Sequence, residues 1–147
     1  IIDIKAKAKD DGNAMVMKSD IEAWVSANGE IPKGACVAMN SGWAAKVAAP
    51  EYRNTPDGAF AFPGFSKEAT DLLTEIGAAS IGVDTLSLDP GNSKDFAVHY
   101  SWLPSGHYGI ENLANLDSLP AKGATIFVGA PKHKAGTGGP ARVMAMV

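Results

Sequence analysis

The sequence predicts an α/β domain, and three observations predict it. A helix cap, an amphipathic run, a glycine stop and an apolar strand follow one another twice, over residues 19–39 and again over 66–83. The apolar runs are short and bounded by Gly, Pro or charge, as strands inside a sheet are. A length of 147 residues with 46% hydrophobic and 20% charged residues fits one domain, 1–147, able to bury a core.

Residues 1–6, Ile1-Ile2-Asp3-Ile4-Lys5-Ala6, alternate as a strand, and Asp10-Asp11-Gly12-Asn13 is a turn cluster. Opening directly on Ile1-Ile2-Asp3-Ile4 reads as the middle of a strand, so the chain is expected to be the C-terminal part of a longer polypeptide. Ser19-Asp20-Ile21-Glu22 has capping-box spacing, with Ile21, Trp24 and Val25 on one helical face and Asn28-Gly29 as the stop. Pro32-Lys33-Gly34 turns the chain into a buried strand over 35–39, which ends on Asn40-Ser41-Gly42-Trp43.

Residues 44–63 read as a long irregular excursion, with aromatics at Tyr52, Phe60 and Phe62 and Phe65 just beyond it. Loops of that length in a compact domain are usually functional or mobile. Ser66 caps a second helix to about Ile76, with Leu72, Leu73 and Ile76 inward and Gly77 at the stop. Residues 80–83 form the next strand, 125–128 a further buried strand, and 141–147 the last.

A net charge of -3 gives no electrostatic case for nucleic acid or an anionic membrane surface. No apolar run has the length of a bilayer span. The single cysteine, Cys36, excludes an internal disulfide framework and points to a reducing, cytoplasmic setting. It reads as a small buried hydrophobe.

The candidate chemistry gathers after the strand at 80–83. Asp84 and Asp89 flank Thr85-Leu86-Ser87-Leu88, and His99 and Glu111 follow twelve residues apart, close enough for a loop return to bring them together. A His and a Glu can be metal ligands, or a base with its orienting group. Asp89, before Pro90-Gly91, is expected to accept hydrogen bonds from its own turn. Asp84 leaves a buried strand and needs a partner. His107 reads as an exposed loop histidine. Gly136-Thr137-Gly138-Gly139 lacks the Gly-Lys-Ser/Thr ending of a phosphate loop and precedes a strand. Cys-x-x-Cys, His-Glu-x-x-His, Gly-x-Ser-x-Gly and the dinucleotide glycine fingerprint are all absent.

Several stretches taken together resemble the metal-dependent cyclase family, which includes bacterial kynurenine formamidase and is related to isatin hydrolase. They are Ser41-Gly42-Trp43, Pro63-Gly64-Phe65-Ser66, residues 81–91, Val98-His99, residues 111–117 and residues 136–142. The resemblance implies a swivelling β/β/α domain with a mixed, partly barrel-like sheet and flanking helices. It also implies metal-dependent hydrolysis of an amide C–N bond in an aryl-formamide or a cyclic amide or imide.

In this reading Glu111 is a metal ligand, His99 a ligand or proton-transfer group, and the cofactor a divalent ion, Zn or Mn. Trp43, Phe60 and Phe62 line an apolar substrate pocket, and Asp84 and Ser87 form part of its wall. Departures around Ser87-Leu88-Asp89-Pro90-Gly91 and the Glu tilt the resemblance toward the formamidase-like branch. The family signature His-x-Gly-Thr-His-x-Asp is absent; in relatives it lies upstream of a strand like Ile1-Ile2-Asp3-Ile4. The partners implied are a small-molecule substrate, that N-terminal segment or a chain supplying it, and further copies in a homo-oligomer. The competing readings are a non-catalytic module that keeps the fold for binding or assembly, and a metal-free cyclase or lyase using His99 and Asp84 as acid and base.

Overall fold

The computed structural model describes residues 1–147 and begins on an edge strand, β1 (Ile2–Asp3), that gives way at once to a short helix, α1 (Lys5–Asp10). The strand expected over 1–6 is therefore cut short. The Asp3 carboxylate accepts the Lys5 backbone N–H at 2.9 Å and so satisfies a first-turn donor. Beyond it, Lys5-Ala6-Lys7-Ala8 alternates two strong helix formers, so a period-two pattern conceals a helix whose buried contact is Ala8.

The chain continues through β2 (Met15–Val16), α2 (Lys18–Asn28), β3 (Cys36–Asn40), β4 (Gly64–Phe65), α3 (Lys67–Ile76) and β5 (Ser80–Val83). It then forms α4 (Ala97–Trp102), β6 (Tyr108–Ile110), β7 (Thr125–Gly129) and β8 (Arg142–Met146). α2 starts earlier than its Ser19 signal. Asp20 reaches back to accept the Met17 N–H at 2.7 Å, and Lys7 neutralises the same carboxylate at 2.5 Å. α3 follows its signals: Ser66 Oγ accepts the Ala69 N–H at 3.2 Å, and Gly77, in the left-handed region, closes the last turn.

β1, β3, β5 and β6 make a parallel sheet in the order β1-β3-β5-β6, with Met39 beside Val83 and Gly82 beside Ile110. Successive strand side chains point to opposite faces. Val37, Met39, Ile81 and Val83 therefore join the large core with Phe65, and Ala38 and Ile110 join a second, smaller cluster with Leu113 and Leu116. Fully burying Phe65 contributes about 2–3 kcal/mol. A side chain at Gly82 would meet Leu113 Cδ1 at 2.6 Å, so the glycine lets the turn after β6 lie on the sheet.

β2 pairs with β4 in parallel, and β7 with β8 as an antiparallel hairpin. The strands thus fall into three sheets with flanking helices. The strand predicted over 125–128 exists but is not buried: Ile126 and Val128 are half-buried, and Phe127, on the other face, is 48% exposed. A two-stranded ribbon has only one face to lay on the domain. The 44–63 excursion is built from 3-10 turns at Trp43–Lys46 and Pro50–Tyr52 and a bridge between Asn54 and Phe60. No helix is long and apolar enough to cross a membrane.

Candidate active site at the strand exits

Parallel α/β sheets place ligands beyond the carboxyl ends of their strands. Ser41 and Trp43 follow β3, Asp84 follows β5 and Glu111 follows β6 at that edge. His99 arrives from α4, whose start is fixed by Asp89. This buried carboxylate accepts the backbone N–H of Val98 at 2.8 Å and of His99 at 3.1 Å, and the His99 ring Nδ1–H at 2.6 Å. Asp89 therefore serves α4, not its own turn as the Pro-Gly context suggested.

The other ring nitrogen, Nε2, faces Glu111 Oε1 at 3.5 Å, so one imidazole stands between two carboxylates. The Asp89 bond, then the Glu111 carboxylate, raise the His99 pKa to about 9, which makes the ring cationic at neutral pH. Burial opposes the Asp89 charge, but the His99 ring and the two backbone donors outweigh it and hold the Asp89 pKa below the ordinary value. His99 and Glu111 are 29% and 35% exposed, so the pair is both reachable and held.

Both residues line an apolar groove of about 1690 Å³ that runs from Leu88 and Leu103 over the Ala38–Ile110 face of the sheet to the hairpin. Single small-molecule sites usually occupy ~300–1,000 Å³. This groove is accordingly an open face larger than one small-molecule site, with His99 and Glu111 among its lining residues. Trp43, Phe60, Phe62, Asp84 and Ser87 do not line it. Trp43 is buried, donates Nε1–H to the Tyr52 carbonyl at 2.8 Å and carries Lys46 Nζ 3.2 Å above its ring. Phe62 is buried, and Phe60 is half-exposed beneath Arg53 at 4.9 Å.

The Ser87 carbonyl accepts from Thr85 Oγ1 at 3.1 Å. Asp84 finds its partner in the β3 exit, accepting Ser41 Oγ–H at 2.6 Å, the Trp43 N–H at 2.8 Å and the Ser41 N–H at 3.1 Å. The structure thus brings together His99 and Glu111 of the expected residues, and adds Asp89, which the sequence had placed in a turn. His107 is not an exposed loop residue. It is half-buried, stacked on Trp102 at 4.2 Å, with Nδ1 shielded and without a hydrogen bond.

No three His, Cys, Asp or Glu side chains are grouped to hold an ion. Asp89 holds His99 Nδ1–H, the arrangement that orients a metal-ligating histidine and leaves Nε2 directed toward Glu111. A zinc site needs three or four protein ligands, and two neighbouring groups do not make one. His99 Nε2 and Glu111 fit as two ligands of a divalent ion that further donors would complete.

A model of the Cyclase family, described as "Putative cyclase", matches residues 1–90. The isatin hydrolase of Roseibium aggregatum is 30% identical over 153 residues, spanning 100% of this chain and 58% of that protein. The crystal structure of an isatin hydrolase bound to the product analogue thioisatinate superposes with a TM-score of 0.94 at 28% identity, over 99% of this chain and 58% of that one. Isatin hydrolase A from Labrenzia aggregata bound to benzyl benzoate gives a TM-score of 0.93 at 34% identity, over 99% and 59% of the two chains. The chain therefore spans somewhat more than half the length of these relatives.

Proposed function

The chain belongs to the cyclase family, and from that premise we propose that it forms the His99- and Glu111-bearing part of a hydrolase that opens the C–N bond of a cyclic or aryl amide. The observation that carries the reading is the line Asp89–His99–Glu111, at 2.6 and 3.5 Å, with His99 and Glu111 lining an apolar groove. Asp89 is the positioning residue: by holding Nδ1–H it keeps the ring from turning and leaves Nε2–H toward the groove. Water adds to the amide carbonyl as Glu111 takes its proton, the C–N bond breaks, and His99 passes its Nε2 proton to the departing nitrogen and regains one from Glu111. Before it takes that proton, the Glu111 carboxylate stabilises the cation.

The isatin-hydrolase relatives support a cyclic amide over the formamidase-like substrate toward which the sequence leaned. An aryl-formamide remains the second substrate in the proposal. A Zn or Mn ion enters the proposal only with donors from outside residues 1–147, Glu111 and His99 being the side chains of this chain that would join them. The setting proposed is cytoplasmic and homo-oligomeric, with a small-molecule substrate. The second reading is a non-catalytic member that keeps the fold for binding or assembly.

The experiment takes a full-length polypeptide containing these residues and assays a cyclic imide, isatin and an arylformamide side by side, with metal analysis of the same sample. Amide opening that is lost in His99→Ala and Glu111→Ala supports the hydrolase. Hydrolysis and metal content unchanged in Glu111→Ala would overturn it.

A further inference from the structure

Tyr52 is the one side chain of the 44–63 excursion whose hydrogen bonds reach the sheet's exit edge. Its hydroxyl lies 2.7 Å from Asn112 Oδ1 and 3.2 Å from the Asp84 carbonyl. A phenol has one proton to donate, and the shorter contact assigns it to Asn112. Asn112 follows Glu111 directly and sits at φ 59, in the left-handed region that asparagine adopts more readily than other residues with side chains.

Three bonds hold it there. The Asn112 N–H donates to the Thr85 carbonyl at 2.8 Å, the Leu113 N–H to the Val83 carbonyl at 3.0 Å, and Tyr52 takes the Asn112 side chain. Tyr52 is itself fixed, since the Trp43 indole donates to its carbonyl and Asp84 holds the Trp43 backbone. A chain of contacts thus runs from the exits of β3 and β5, through the excursion, to the residue beside Glu111.

We propose that Tyr52 is a positioning residue that, through Asn112, sets the Glu111 carboxylate against His99. The excursion is in this way part of the site although its aromatic rings do not line the groove. The catalytic consequence rests on the amide-hydrolase reading; the geometric one does not. Burial, together with the Asp84 and Glu111 carboxylates, raises the Tyr52 pKa, so the hydroxyl stays protonated and able to donate throughout the working range.

The test compares Tyr52→Phe, which keeps the ring and loses the hydroxyl, with Asn112→Gly, which keeps the left-handed backbone and loses the acceptor, and with the double variant, all in the full-length protein. Expected is a roughly tenfold fall in kcat with KM nearly unchanged in either single variant, and no further fall in the double, because both remove one contact. The ¹⁵N resonance of His99 Nε2, which reads the Glu111 neighbour whether or not an assay succeeds, moves alike in all three. Additive losses, or a lower melting temperature with kcat and the His99 resonance unchanged, would overturn the proposal. If the parent protein hydrolyses no amide, the functional reading fails, and the His99 resonance still decides the role of Tyr52.

Discussion

Asp89 Oδ2 stands 2.6 Å from His99 Nδ1, and the same carboxylate accepts the two backbone N–H groups that open α4. One buried side chain therefore fixes where the helix begins and which way its histidine faces. Asp89→Asn preserves shape, removes the charge and gives the group a donor of its own to place. The expected outcome is a His99 pKa falling from about 9 toward 6.5 and a stability loss of about 2 kcal/mol. Titration of the His99 ring by NMR and urea unfolding measure both. A variant with an unmoved His99 pKa would remove Asp89 from the site.

The pair also gives stability a pH dependence whose sign can be worked out. The His99 pKa is about 9 in the fold against an ordinary 6.5, so between those values the folded chain binds more protons than the unfolded one. Its contribution is fully present below about 6.5 and is lost as pH rises through about 9. Asp89 titrates below its ordinary value, so its contribution is present above the ordinary carboxylate range and is lost as pH falls through the lowered pKa. Unfolding at pH 6 should therefore cost more than at pH 9.5, by on the order of 1–2 kcal/mol once solvent screening of the partly open ring is allowed for. A urea midpoint that climbs between those two pH values contradicts this account.

Gly64 in β4 lies against the segment that carries Asp89. A Cβ there would come within 2.5 Å of both the Asp89 carbonyl carbon and Pro90 N, which are backbone atoms with no rotamer to yield. Gly64→Ala is expected to lose about 2–3 kcal/mol by forced overpacking, and to weaken the Asp89–His99 bond with it. Calorimetry reads the first effect and the His99 titration the second. A melting temperature equal to that of the parent would show that β4 moves away without cost.

What the sequence made legible was local. Ser66, Gly77 and the Ser80–Val83 strand are read correctly because cap, stop and apolar run each act within about one turn of the chain. The start of α4 was hidden because its acceptor, Asp89, lies nine residues upstream in an apparent turn. α1 was hidden by Lys-Ala alternation, and the partner of Asp84 by the 43 and 41 residues that separate it from Ser41 and Trp43. His99 and Glu111 were legible as types at a spacing. Their 3.5 Å approach follows from β6 running parallel to β5, a pairing that no local signal encodes.

Asp84 separates two accounts of the site. Its carboxylate is 1% exposed and saturated by Ser41 and Trp43, so the geometry makes it a clasp between the exits of β3 and β5. A metal-free reaction with Asp84 as base would need that carboxylate free to take a proton from substrate. Asp84→Asn cannot accept from Ser41 and Trp43 with both atoms, and it should lower stability by about 2–3 kcal/mol through the donors left unpaired. Catalytic constants, corrected for the folded fraction, should fall far less than in His99→Ala, and KM should barely move. Hydrolysis abolished in Asp84→Asn with the unfolding midpoint unchanged would reverse the assignment, making Asp84 a reacting group and His99 its partner.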